Sequence, residues 1–146
     1  MALHGINHLV LKVRDLAVAD RFYRGLVGLE LVGSRPGMNF YSAGAHHHDF
    51  ALLEVGADAA VPSRRETGLF HFCFDVSDEA ALAEIYHRLR EAGVDLRGTA
   101  DHNVMRSFYV RDPDGNLVEF GVDVPRDEWA APADAFAGDR PYAIAG

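Results

Sequence analysis

One cysteine, Cys73, is too few for an internal disulfide, and so small a thiol complement fits a reducing compartment. Basic residues never run beyond Arg64-Arg65, and acidic residues outnumber them to a formal net charge of −8. A phosphate backbone needs a positive footprint, so a nucleic-acid partner is not expected. No apolar stretch approaches the ~18 residues of a bilayer-spanning helix, so no membrane partner is expected either. The first residues, MALHGINHLVLKV, show no basic leader, long apolar segment or cleavage site. No export signal is read there, and a cytoplasmic protein is expected. What is present is an ordinary globular mixture, 49% apolar and 25% charged over 146 residues. That is the length of one domain, and enough to bury roughly 70% of the unfolded chain's surface.

Histidine is abundant: eight in all, three of them adjacent in AHHHDFALLE at 45–54. Neighbours on a strand point to opposite faces, so this trio is not expected to chelate as a unit. A better pattern emerges from an internal repeat. GINHLVLKVRDLAVADRFYRGLVGLELV lies over GLFHFCFDVSDEAALAEIYHRLREAGVDL, with His8 on His71, Val13 on Val76 and Asp15 on Asp78. The two ends, FYSAGAHHHDFALLEV and FYVRDPDGNLVEFGV, also correspond, and that pairing sets Glu54 on Glu119. Asp15 and Asp78 are expected helix N-caps, and DPDG at 112–115 predicts a hairpin between the last two strands.

The periodicities predict strand 5–13, helix 16–27 and strands 29–34, 37–43 and 48–55. A linker then leads to strand 69–76, helix 79–92 and strands 95–99, 105–111 and 116–123. The class is α+β, as two tandem βαβββ modules within a single domain, 1–146. Module one covers about 4–56, the linker 57–67, module two about 68–123 and a C-terminal extension 124–146. Trp129 and Phe136 in that extension are expected to pack on the outside of the protein.

Alternation in LFHFCFDV sets Phe70, Phe72 and Phe74 on one face and His71, Cys73 and Asp75 on the other. A polar face on so apolar a strand needs partners. His8, His71 and Glu119 would supply two imidazoles and a carboxylate, a set that suits non-haem Fe(II) and also Mn(II), Zn(II) or Ni(II). Cys73 is read as a small buried hydrophobe, His4 and His87 as surface residues, and His46 and His47 as loop residues.

These residues resemble the vicinal oxygen chelate superfamily, over about residues 4–123. Its paired βαβββ modules form a cupped, barrel-like mixed sheet around one metal site. INHLVLKVRDL, LFHFCFDV and YVRDPDGNLVEF match its metal-ligand segments, which implies His8, His71 and Glu119 as ligands. HHDFAL resembles a stretch of the small type I extradiol ring-cleaving dioxygenases and implies His48 as the acid–base residue. Tyr109 matches the tyrosine that hydrogen-bonds the catecholic oxygen. DHNVMRSFY resembles DHGxSxSxY and carries over His102 as a further pocket histidine, with Asn103 replacing Gly and Met105 replacing Ser.

The resemblance thus implies Fe(II)-dependent cleavage of a small aromatic diol by O2. The diol must lose a proton on binding, and a proton must return as the O–O bond breaks; a neutral imidazole suits both tasks. The alternative is a glyoxalase I-like lyase on Ni(II) or Zn(II) with a four-ligand set, His8, Glu54, His71 and Glu119. An epimerase or thiol transferase belongs to the same alternative. In a straight strand His48 and Glu54 lie roughly 20 Å apart, so only one of them can belong to the centre. HHDFAL, Tyr109 and His102 favour His48. A homodimer or higher homo-oligomer is expected, because the sheets leave edges to cover.

Overall fold

The computed structural model describes residues 2, 4–44, 46–61, 63, 65–129 and 135–146. Parts of the linker (Pro62, Arg64) and of the extension (130–134) lie outside these residues, as does Ala45. The chain divides into two compact units, Met1–Pro62 and Ser63–Gly146.

The first unit runs β1 (Leu9–Val13), α1 (Leu16–Asp20), β2 (Glu30–Arg35), β3 (Met38–Ser42) and β4 (Phe50–Glu54). Asp15 caps α1, its carboxylate accepting the Val18 amide at 2.9 Å. The helix continues as wider π turns over Arg21–Val27 and stops at Gly28, whose φ of 98° suits a residue without Cβ. Its buried face carries Ala19, Phe22 and Tyr23, and α1 packs on β4. The sheet order is β1-β4-β3-β2, with β1 parallel to β4 and the other pairs antiparallel.

The second unit repeats this plan: β5 (Phe72–Asp75), α2 (Glu79–Glu91), β6 (Leu96–Asp101), β7 (Met105–Arg111) and β8 (Leu117–Asp123). The order is β5-β8-β7-β6, again with only the first pair parallel. Asp78 caps α2 through the Ala81 amide at 2.8 Å. Leu82 and Leu89 of α2 are fully buried, and Phe108 and Phe120 stack with ring centroids 5.0 Å apart. The α+β, two-module reading therefore holds, with strand ends shifted by a few residues. β5 begins only at Phe72, so Phe70 lies outside the expected aromatic face and is 81% exposed.

Each module carries a bulge between its second and third strands, at Leu31/Gly33 and at Leu96/Gly98. The bulges give an internal ruler for the repeat. In the second unit Gly98, Tyr109, Glu119 and Cys73 lie in one row across the sheet. The matching row in the first unit is Gly33, Phe40, Ala51 and Val10. His71 stands two residues before Cys73, as His8 stands two before Val10. Ala51 rather than Glu54 is thus the counterpart of Glu119. Pairing the module ends by sequence misses this, because the hairpin loops before β4 and β8 differ in length and composition.

Candidate functional site

The second unit gathers four expected residues. Asp112 begins the arrangement at the β7–β8 turn: its buried carboxylate accepts the amides of Asp114 (2.9 Å) and Asn116 (2.8 Å), and Gly115 takes a φ of 86°. This turn sets the β8 register and leaves Glu119 only 2% exposed. His71 Nε2 lies 3.1 Å from Glu119 Oε2, and His102 Nε2 lies 3.4 Å from Glu119 Oε1. Tyr109, cross-strand from Glu119, reaches His102 Nε2 at 2.9 Å, and Ser107 Oγ reaches the same nitrogen at 3.1 Å. The Tyr109 ring meets the edge of His71 at 5.7 Å.

Burial first, and then the Glu119 carboxylate, raise the Tyr109 pKa far above the ordinary phenol value. Tyr109 therefore keeps its hydrogen at any physiological pH. Cys73 is exposed by surface area rather than buried as expected. Its sulfur nevertheless sits among protein atoms, and this burial, with the carboxylates of Glu119 and Asp75, pushes the thiol up to about 12. At neutral pH it is therefore a thiol.

The loop holding His102 keeps a glycine-like shape without glycine. Asn103 has φ 69°, in the left-handed region that asparagine tolerates better than most residues. The other departure, Met105, packs over Gly121, where an added Cβ would fall 2.5 Å from the Met105 sulfur.

The first unit holds the other two. His8 is exposed, with Nδ1 2.8 Å from Asn7 Oδ1. Its ring centroid lies 4.7 Å from that of His48, which also meets the Phe40 ring edge-on at 5.4 Å. Here the alternation expected of AHHHDFALLE fails for a simple reason: β4 starts at Phe50, so the histidines lie in the preceding loop. His47 and His48 touch instead, Nδ1 to Nδ1 at 2.6 Å, while His46 pairs with Asp49 at 2.7 Å. Asp49 also accepts the Ala43 amide at 2.8 Å and so closes this loop. Desolvation, followed by the imidazoles of His47 and His8, lowers the His48 pKa.

Glu54, at the far end of β4, accepts the Leu16 amide at 2.8 Å and so serves the first turn of α1. Two further contacts leave no mark in the local sequence pattern. His87, read as a surface residue, contacts the Ala145 carbonyl through Nε2 at 2.7 Å. Asp139 Oδ1 meets His102 Nδ1 at 2.6 Å. Neither follows from periodicity, because both depend on where the extension docks. Trp129 packs in part, donating to the Val124 carbonyl at 2.6 Å, whereas Phe136 is 85% exposed rather than packed.

Among the described residues no group of three or more His, Cys, Asp or Glu side chains is already arranged around an ion position. The donor chemistry of the second unit nevertheless fits a divalent cation. Glu119 Oε1 and His71 Nδ1 are buried without a hydrogen-bond partner, and a buried carboxylate left short of partners is costly unless a cation satisfies it. Among the described residues no helix is long and apolar enough to cross a membrane.

Comparison with known proteins agrees with this architecture. The chain is 32% identical over 119 residues to a biphenyl-2,3-diol 1,2-dioxygenase of Rhodococcus globerulus, covering 81% of this chain and 63% of that protein. It is 31% identical over 124 residues to a catechol-2,3-dioxygenase of Bacillus subtilis, covering 85% of this chain and 43% of the relative. The chain thus spans only about two fifths to two thirds of the length of these relatives. A solved lactoylglutathione lyase from Agrobacterium tumefaciens superposes with a TM-score of 0.64 at 27% identity, over 84% of this chain and 96% of that one. With the family model matching residues 5–120, the chain belongs to the Glyoxalase/Bleomycin resistance protein/Dioxygenase superfamily.

Proposed function

We propose that this protein cleaves the ring of a small catechol-type diol with O2 in a Fe(II)-dependent extradiol reaction. His8, His71 and Glu119 would hold the metal, within one chain or across a homodimer. The observation that carries the reading is Ala51. It occupies the row position of Glu119 in the first module, so that row supplies no second carboxylate. Two imidazoles and one carboxylate leave a metal open on one side, as chelation of a diol beside O2 requires. When bound, the metal supplies Lewis acidity to the diol oxygens and a site for O2 next to them.

The remaining steps fall to side chains. His48, its pKa lowered, is a neutral imidazole near pH 7, able to take the proton that a diol gives up on binding and to return it later. Tyr109 retains its phenolic hydrogen and can direct it at a developing oxyanion. His102 Nε2 meets the hydroxyls of Ser107 and Tyr109 and orients them. The single-domain organisation over 1–146 and a cytoplasmic location belong to the same reading.

The lyase alternative draws support from the lactoylglutathione lyase likeness. It needs Glu54 as a fourth ligand, but that carboxylate is engaged with Leu16. Anaerobic loading with Fe(II), then oxygen uptake across a catechol panel, tests the proposal; uptake with a coloured ring-fission product is expected. No uptake with any catechol, together with isomerisation of a hemithioacetal on Ni(II) or Zn(II), would overturn it.

A further inference from the structure

The C-terminal extension, outside the repeat, docks along the free edge of β6. Asp101 and Arg140 exchange two backbone hydrogen bonds, at 3.0 and 2.8 Å, in an antiparallel bridge. Asn103 Nδ2 donates to the Gly138 carbonyl at 2.9 Å, and the Asn103 side chain also meets the Arg140 guanidinium. Thr99 donates to the Tyr142 carbonyl at 2.6 Å, and His87 holds Ala145. These contacts are polar and mostly to backbone, while Phe136 stays exposed. The segment is therefore held in a defined register along β6 and not merely by apolar adhesion. That register brings the Asp139 carboxylate to His102 Nδ1 at 2.6 Å.

We infer that Asp139 is a positioning residue: it holds the hydrogen of His102 on Nδ1, so that Nε2 faces the centre as an acceptor. A carboxylate can only accept, so the neutral ring must present N–H at Nδ1 to make this bond. Nε2 then carries a lone pair, shared between the hydroxyls of Ser107 and Tyr109. Whenever Ser107 supplies the hydrogen, Tyr109 can direct its own toward Glu119 or a ligand. Glu119 Oε1 faces the same nitrogen at 3.4 Å and is buried without a hydrogen-bond partner. In the opposite tautomer Nε2–H would aim at that oxygen and compete with a cation for it. The Asp139 side chain is 65% exposed, so its role is orientation rather than stability.

The tautomer stands on this unit's geometry alone; the effect on metal binding rests on Glu119 being a ligand, as proposed above. Nitrogen-15 NMR of the metal-free protein, with His102→Gln to identify the signal, reads the tautomer directly. Wild type and Asp139→Asn, which keeps an accepting oxygen, should show protonated Nδ1. Asp139→Leu, at an exposed position, should shift the ring toward Nε2–H and weaken Mn(II) binding roughly tenfold. An unchanged Nδ1–H signal in Asp139→Leu would overturn the inference. A shifted tautomer in a protein that consumes no oxygen with any catechol would uphold it and count against the dioxygenase reading alone.

Discussion

The Glu54 carboxylate accepts the Leu16 amide at 2.8 Å, tying the end of β4 to the first turn of α1. A carboxylate at a helix N-terminus satisfies an orphan amide and complements the helix dipole. Glu54→Ala is therefore expected to lower stability by about 1 kcal/mol, while Glu54→Gln retains an acceptor and loses less. Neither should change metal stoichiometry, measured by elemental analysis after loading and desalting. Loss of metal in Glu54→Gln would restore the four-ligand lyase.

Glu119 is expected to behave in the opposite way. Its buried carboxylate, 3.1 Å from His71, is satisfied by a cation and left wanting without one. Mn(II) at a hundredfold excess over its dissociation constant should stabilise the wild type by about 2.7 kcal/mol. Glu119→Gln and His71→Ala should abolish that gain in thermal unfolding. An equal shift in all three proteins would remove Glu119 and His71 from the ligand set.

His48 touches His8 and His47, but its proposed work is on protons rather than on the metal. His48→Phe should therefore keep metal content near that of the wild type and slow turnover roughly 10²–10⁴-fold. Metal lost along with activity would reassign His48 as a ligand.

Asp49 shapes the loop that presents His48. The Ala43 amide, and then His46, hold its carboxyl below the usual 3.8, against the opposing effect of burial. A depressed folded pKa means that the charged form favours the folded state. The contribution is present above the unfolded value and disappears as pH falls through the lower folded one. Asp49→Asn should cost roughly 1 kcal/mol in urea unfolding at pH 7, and the gap to wild type should narrow as pH drops below about 4. A gap that stays constant on acidification would show that the charge of Asp49 contributes nothing.

Much of this protein is written locally. Alternation marked the strands, helical spacing marked α1 and α2, and Asp15, Asp78 and the DPDG turn punctuated them; each signal depends on neighbours a few residues apart. The repeat of His8 at His71 was equally legible, because it needs only two similar segments. Pairing across strands was not. Whether Glu54 or Ala51 matches Glu119 depends on hairpin loop lengths and on a bulge in each module, and a shift in register moves a side chain to another row or face. Asp139 is the extreme case. Nothing in VPRDEWAAPADAFAGDRPYAIAG marks that aspartate, since its meaning comes from an edge strand some forty residues earlier in the chain. Local periodicity and the repeat suffice to lay out the two modules and their candidate residues. Which carboxylates meet histidines is set instead by hydrogen bonds between segments that local periodicity does not connect.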